Sequence, residues 1–313
     1  MKSANLNSKA VSDALQYSEL VFYSEPQSKR DPVMPKEKNM REMEGSIHTD
    51  FIDDMSYADY LNLEQILSAQ KPLSGVHDEM LFVVIHQASE LWLKLAGFEL
   101  LEAIKNVKEG DFGHAFKVIS RVKQIFIQLT QSWNILSTLT PVDYLKFRDS
   151  LGHSSGFQSY GYRKLEFLLG NKNKSLIEVH KSNQPVYQDL SQVLNNPSLY
   201  DEVLKVLAAQ GLAIDSVALN RDFSQPYRSN QSVLKAWQKV YQNADQYFEL
   251  YELAEKLVDI EDAFQQWRFK HMYTVQRIIG NKMGTGGSSG VSFLKKALDI
   301  SFFPELFELR THL

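Results

Sequence analysis

Apolar residues recur at helical spacing from Phe51 onward, and prolines and Asn/Gly clusters fall where breaks between helices are expected. The pattern predicts helices at 57–69, 77–108, 113–137, 142–150, 158–169, 185–194, 198–209, 229–257, 258–280 and 291–300. Strand-like alternation bounded by turns does not recur, which disfavours an architecture of alternating strands and helices. The sequence therefore predicts an all-α fold.

The first fifty residues break this pattern. Residues 1–22 can form a short helix, whereas in 23–50 prolines fall among charges with little apolar periodicity. We predict an N-terminal helix and extended arm over 1–50, followed by an all-helical domain over 51–313. The first twenty residues hold no apolar stretch like that of a secretory signal, so we expect a cytoplasmic protein.

Composition narrows the possible functions. Of 313 residues, 43% are apolar, which is enough to bury a large core. The net charge is −4 and long apolar runs are missing, so we expect neither a nucleic-acid nor a membrane partner. The sequence has no cysteine, which excludes disulfides, thiolate-bound metals and a thiol nucleophile. Metal or cofactor chemistry would have to use histidine or carboxylates.

Eight histidines are candidates for such chemistry, and none belongs to the HExxH pair of zinc peptidases. His86 and Glu90 are neighbours on a helix and could share a metal, although a structural hydrogen bond is the commoner arrangement. His271 lies on an apolar stripe with Val275 and Ile278. A lone histidine there is more often a core residue than a ligand, but it also suits a five-coordinate haem that keeps one iron position open for O2.

Two polar segments could bind an anion. GTGGSSG at 284–290 lacks the spacing of nucleotide-binding loops, but its glycines could turn backbone N–H groups toward an anion, with Thr285 adding a hydroxyl. In the segment 141–163, Arg148 could bind a carboxylate through two parallel hydrogen bonds. A flexible surface turn and a surface ion pair are the structural alternatives, and spacing alone leaves both choices open.

Four stretches, taken in order, resemble the tryptophan 2,3-dioxygenase family from about Tyr57 to about Leu294. They are YADYLNLEQILSAQKP at 57–72, HDEMLFVVIHQASELWLK at 77–94, LTPVDYLKFRDSLGHSSGFQSYGYRKLEFLLGNKN at 139–173 and KHMYTVQRIIGNKMGTGGSSG at 270–290. Four long motifs in one order are more specific than any single histidine or glycine loop. The N-terminal arm and the tail after Leu294 carry no matching motif.

The resemblance implies a site for haem b. His271, in the HxxxVQRxIG motif, would be the ligand of the haem iron. Trp133 would lie near the edge of the haem, and Ser155 and Gly156 would belong to a loop that lines it.

The resemblance also implies how L-tryptophan would bind. His86, in the LFxxxHQxxELW motif, would be the catalytic distal histidine that hydrogen-bonds the indole N–H, and Phe82 would pack on the indole. Tyr144 and Arg148 match residues of the substrate pocket, with Arg148 gripping the carboxylate. Thr285 would contact the amino-acid head group.

The implied reaction adds both atoms of O2 across C2 and C3 of the indole and gives N-formylkynurenine, the first step of tryptophan catabolism by the kynurenine pathway. Tyr57 and Tyr60 match aromatics that reach the active site from a neighbouring subunit, so a homotetramer is expected. The sequence leaves open a related haem oxygenase that acts on a substituted tryptophan or inserts one oxygen, a non-catalytic haem gas sensor, and a helical scaffold without cofactor.

Overall fold

The computed structural model describes residues 40–313, and within that range it contains helices, turns and loops but no β-strand. The predicted all-α fold is confirmed. The chain divides into two compact units, one ending at Asn62 and the other comprising Leu63–Leu313. The division expected at residue 50 stays a prediction, and the helix predicted at 1–22 lies outside the described residues.

The α-helices are numbered here in chain order. Their bounds are α1 Tyr57–Leu61, α2 Leu63–Leu67, α3 His77–Glu109, α4 Phe112–Leu136, α5 Pro141–Phe147, α6 Tyr160–Leu169, α7 Gln184–Asn195, α8 Leu199–Ala209, α9 Ser216–Leu219, α10 Gln231–Gln242, α11 Phe248–Ile279, α12 Val291–Lys296 and α13 Pro304–Glu308. Short 3-10 helices lie at Arg148–Leu151, Gly156–Gln158, Lys174–His180, Ala297–Asp299 and Leu309–Thr311.

Local capping chemistry sets the ends of the long helices. α3 ends at Gly110, whose φ of 76° suits glycine, and the Asp111 side chain accepts a hydrogen bond from the backbone N–H of His114 at the start of α4. Because two residues separate α3 from α4, the two helices form an antiparallel hairpin. The Thr140 side chain caps α5, and Pro141 occupies its first turn.

Two predicted boundaries were wrong. The helix predicted at 57–69 is interrupted at Asn62, which adopts a left-handed φ of 53°. A break between helices was predicted after residue 257. The observed break is instead the turn at 243–247, which separates α10 from α11, and α11 continues without interruption to Ile279.

The turn at 243–247 has a local cause that periodicity does not detect. The side-chain amide of Asn243 donates to the carbonyl of Lys239 at 2.9 Å and so competes with continuation of the helix. The predicted break after residue 257 is absent because Leu257 and Ile260 are both fully buried on one continuous face of α11. The short helices α9 and α13 were not predicted.

The core forms where α4 packs against both α3 and α11. Its fully buried side chains include Leu100 and Val107 of α3, Ile119, Val122 and Phe126 of α4, and Leu253, Leu257 and Phe264 of α11. α6 and α8 also pack against α3. None of the helices between residues 40 and 313 combines the length and apolar content needed to cross a bilayer.

Candidate active site

His271 of α11 lies among aromatic rings. Its imidazole stacks on Trp133 of α4, with ring centroids 4.7 Å apart and planes within 10°, and Trp267 lies 5.3 Å away. Burial, with a smaller effect from the nearby His86, lowers the pKa of His271 to about 4. The imidazole is therefore neutral near pH 7 and keeps a nitrogen lone pair available to a metal.

His86 of α3 is also held neutral, in a defined tautomer. Its Nδ1 lies 2.7 Å from the carbonyl oxygen of Phe82, and because a carbonyl only accepts, Nδ1 carries the proton. Burial lowers the pKa of His86, against the opposing effect of this hydrogen bond. Nε2 is then the nitrogen with a free lone pair, so His86 can accept a hydrogen bond from a ligand. Its hydrogen-bond partner is Phe82, and not Glu90 as the four-residue spacing had suggested.

An aromatic wall adjoins His86. The ring of Phe82 lies 4.1 Å from the His86 imidazole, 6.0 Å from Tyr144 and 5.6 Å from Phe147. Tyr144 and Phe147 are both buried and meet edge to face at 5.3 Å. These rings, contributed by α3 and α5, can pack against a flat apolar ligand.

Arg148 follows the aromatic wall directly in sequence. Its Nη2 donates to the carbonyl of Met283 at 2.6 Å, and its guanidinium lies close enough to Tyr144 to oppose the rise in that hydroxyl's pKa that burial causes. Nε of Arg148 is buried and has no hydrogen-bond partner in the described part of the chain. The guanidinium therefore keeps donor capacity for an anion.

The two polar segments singled out in the sequence lie against each other. The Thr285 hydroxyl donates to the carbonyl of Ser154 at 2.5 Å. A Cβ added at Gly286 would lie 2.7 Å from the Cβ of Ser155, so the two loops approach as closely as backbone allows. Ser155 and its neighbour Gly156, predicted to line the haem, thus adjoin the loop of Thr285.

Sequence reasoning missed a buried arginine. Arg163 is 4% exposed and pairs with Glu166, which also accepts from Arg268 at 2.9 Å. The carboxylate of Glu166 is thus shared between two guanidinium groups. Nε of Arg163 has no partner among the described residues. A basic residue on the apolar face of a short amphipathic helix, α6, is the sequence signal that could have found it.

A series of ring contacts joins Arg163 to His271. The guanidinium of Arg163 lies 5.7 Å from the ring of Tyr162, which is 5.2 Å from Trp267, the second aromatic neighbour of His271. On its other side, Arg163 lies 5.5 Å from the ring of Phe157, next to the Ser155 loop. Trp267 is the other residue missed, and it lies one turn before His271 on α11.

The remaining candidates are Tyr57 and Tyr60. Both belong to α1, in the unit that ends at Asn62, and their side chains are 75% and 76% exposed. Among the described residues, no cluster of three His, Asp or Glu side chains could hold a metal ion by itself.

These observations define an all-α protein with a histidine-centred, aromatic-walled site built on α3, α4, α5 and α11. Comparison with known proteins is consistent with that class. The family model described as tryptophan 2,3-dioxygenase matches residues 42–197 and 193–313. The chain belongs to the tryptophan 2,3-dioxygenase family.

Individual relatives cover nearly the same part of the chain. A tryptophan 2,3-dioxygenase from Shewanella woodyi is 78% identical over 279 residues, which is 89% of this chain and 98% of the relative. One from Geobacillus thermodenitrificans is 54% identical over 280 residues, or 90% of this chain and 100% of the relative. One from Bacillus anthracis is 52% identical over 278 residues, with 89% and 100% covered.

Proposed function

We propose that this chain is a haem-dependent dioxygenase that adds both atoms of O2 across C2 and C3 of the indole of L-tryptophan and releases N-formylkynurenine. The observation that carries the proposal is the pair of neutral histidines. His271 keeps a lone pair for a metal, and His86 keeps an Nε2 lone pair for a donor on the substrate. Family membership supplies the reaction and, with it, the first step of tryptophan catabolism by the kynurenine pathway.

The residues present fit haem b, a flat apolar ring that carries two carboxylates. His271 would bind the iron, and Trp133 and Trp267 offer aromatic surface around it. Nε of Arg163 and Nε1 of Trp133 are buried donors without partners among residues 40–313, which suits a cofactor with carboxylates at its edge. Ser155 and Gly156 would line it. When bound, the haem would supply the iron at which O2 is activated.

The protein's own residues would bind and orient the substrate. Phe82 and Tyr144 would hold the indole in an apolar slot, and Nε2 of His86 would accept the indole N–H. Arg148 would take the carboxylate through the guanidinium that retains a free Nε, and Thr285 would contact the amino-acid head group. Because indole N–H is a very weak acid, His86 orients the ring and does not need to remove the proton.

A homotetramer is part of the proposal. Val84, Leu91 and Phe98 follow each other at seven-residue intervals on α3 and are 43%, 54% and 70% exposed. Such a stripe suits burial against another helix, because seven residues nearly complete two helical turns. Tyr57 and Tyr60 would enter a partner's site, so activity would depend on assembly. Light scattering and assay of one dilution series test this, and a fully active monomer would rule it out.

The decisive experiment combines spectra with product analysis. The purified protein, supplied with haem during expression, is expected to show a histidine-ligated haem spectrum that changes on addition of L-tryptophan. Under 18O2 the product should gain two labelled oxygen atoms. One labelled atom would indicate a monooxygenase, and a tryptophan-insensitive haem protein without O2 consumption would indicate a gas sensor.

Matched variants assign the iron ligand. His271→Ala should lose haem or activity, because no cysteine offers an alternative thiolate ligand. His114→Ala is the control, since His114 is exposed at the start of α4 and its side chain pairs with Asp111 at 2.7 Å. Normal turnover and an unchanged haem spectrum in His271→Ala would refute the assignment. The cytoplasmic location expected from the sequence stays a prediction.

A further inference from the structure

A second candidate binding site lies away from the histidines. An open groove of about 680 Å³ runs between α4, α11 and the C-terminal segment, and its apolar surface includes Phe269, Leu298 and Phe307. Phe269 precedes His271 by two residues on α11, about 200° around the helix at 100° per residue. The groove therefore faces away from the His271 side of α11, and its volume suits a small organic ligand.

The hydroxyl and amide groups that line the groove each donate a hydrogen bond within the protein. The Thr130 hydroxyl donates to the Phe126 carbonyl at 2.8 Å, and the Ser301 hydroxyl donates to Glu261 at 2.5 Å. Gln266 donates through its amide to Asp262 at 2.6 Å. The two hydroxyls have therefore used their only donor hydrogen and offer oxygen lone pairs, and the Gln266 amide offers its oxygen lone pairs and a second N–H.

Gln265 supplies an acceptor without a partner. Its Nε2 donates to the Ile300 carbonyl at 2.7 Å, and because a carbonyl only accepts, the orientation of the amide is settled. Oε1 is then buried, with no hydrogen-bond partner among the described residues. A buried acceptor left unpaired is costly, so a ligand that donates to it would be favoured.

The charged side chains that line the groove are all acidic. Asp262 is an exposed carboxylate at its edge, and no Lys, Arg or His is among the residues that line it. A polar set in which acceptors outnumber donors, beside a negative charge and exposed aromatic surface, complements a ligand that joins an ammonium group to an aromatic or aliphatic body. The same lining offers little to a ligand that carries a carboxylate.

We propose that this groove is a binding site for a small aromatic amine, separate from the histidine site. The ammonium group would lie between Asp262 and Oε1 of Gln265, and the ring would cover Phe269 and Phe307. This proposal stands independently of the proposed function, because none of these residues belongs to the histidine site.

The test uses 2-phenylethylamine as the probe, with 2-phenylethanol as its uncharged counterpart. Binding to the full-length holoprotein is measured by calorimetry, and the variants described next distinguish the groove from the histidine site. We expect the amine to bind about two- to fivefold tighter than the alcohol, as a solvent-exposed charge pair would give. Absence of saturable amine binding, or equal affinity for the two probes, would overturn the proposal.

Variants then locate the site. Asp262→Asn should remove the preference for the amine and leave the alcohol's affinity unchanged. Gln265→Leu should weaken both probes about two- to tenfold, because both donate to Oε1. Phe269→Ala, which truncates a half-exposed side chain, should also weaken both.

The control is Asp259→Asn. It makes the same change of charge three residues before Asp262 on α11, but Asp259 pairs with Lys123 at 2.8 Å and does not line the groove. This variant should bind both probes as the wild type does. If it loses amine affinity as much as Asp262→Asn, the effect is long-range charge and the assigned site is wrong.

Discussion

The backbone carbonyl of Phe82 lies 2.7 Å from Nδ1 of His86, one turn later on α3. This contact decides which nitrogen of His86 faces a ligand, and burial keeps the ring neutral. His86→Ala should lower kcat/KM for L-tryptophan about two- to tenfold without abolishing activity, because one neutral hydrogen bond is lost. Complete loss with haem and tryptophan binding intact would show that His86 is an obligatory base.

Titration of His86 should also make kcat/KM depend on pH. The pKa of His86 is lowered, so its neutral form persists below the ordinary histidine range, and an acid loss of kcat/KM due to His86 should lie at a pH below 6.5. The pH profiles of wild type and His86→Ala check this. The acid limb should be present in the former and missing from the latter, and identical profiles would assign the limb to another group.

Arg148 should set selectivity for amino acids over bare indoles. If bound substrate buries its guanidinium without supplying a carboxylate, the cost is roughly 2–5 kcal/mol, so tryptamine should react some tens to thousands of times less efficiently than L-tryptophan. Arg148→Lys keeps the charge but loses the two-pronged geometry, and its kcat/KM should fall well below wild type at unchanged haem content.

Kinetics with both substrates and both proteins measure the Arg148 effect. Arg121→Lys is the control, because Arg121 pairs with Glu99 at 2.6 Å, away from the site. Equal use of the two substrates by the wild type, or an unimpaired Arg148→Lys, would mean that Arg148 is only a structural cation.

Gly286 should be intolerant of a side chain. The Cβ of Gly286→Ala would lie 2.7 Å from the Cβ of Ser155, so the loop carrying Thr285 must shift and KM for L-tryptophan should rise severalfold. Ser155→Gly in the same chain removes the clash and should restore part of the loss. Gly75→Ala, where no atom lies within 4 Å of the added Cβ, is the control. An unaffected Gly286→Ala would show that the two loops do not need this contact.

Lys172 should make stability depend on pH. It is fully buried, its ammonium donates to the carbonyls of Val193 at 2.7 Å and Leu194 at 3.1 Å and to that of Asn196, and burial lowers its pKa to about 8. Its unfolded pKa of 10.5 is higher, so the unfolded chain binds more protons between these values. The contribution of Lys172 to the free energy of unfolding therefore rises with pH in that window.

Comparison with Lys172→Met isolates this effect, since titration of the tyrosines is common to both proteins. The wild type should gain about 1.5 kcal/mol over the variant between pH 8 and 9.5, because the slope approaches 1.36 kcal/mol per pH unit only above the folded pKa. Denaturant unfolding at the two pH values measures it. A difference in stability that does not change with pH would show that the pKa of Lys172 is not lowered.

Much of the fold could be read from local patterns. The apolar periodicity of α3 and α4, the glycine at 110 and the capping residues all act within a few positions along the chain, so the predicted bounds of these helices are close to those observed. The four motifs likewise located His86, Arg148 and His271, because each motif is a contiguous stretch of sequence. The helix breaks at Asn62 and at 243–247 were not predicted, because at each of them one residue interrupts a helix that the apolar periodicity would continue.

Tertiary structure decided what depends on burial and on contacts between distant segments. The apolar stripe of His271 shows neither that Trp133 stacks on the imidazole from another helix nor that desolvation lowers its pKa. The position of Arg163 on the apolar face of α6 hints at burial, but only the packed chain places it beside Glu166 and Arg268, with Nε unpaired among the described residues. Desolvation and unpaired charge are properties of the packed chain, and a linear sequence does not contain them.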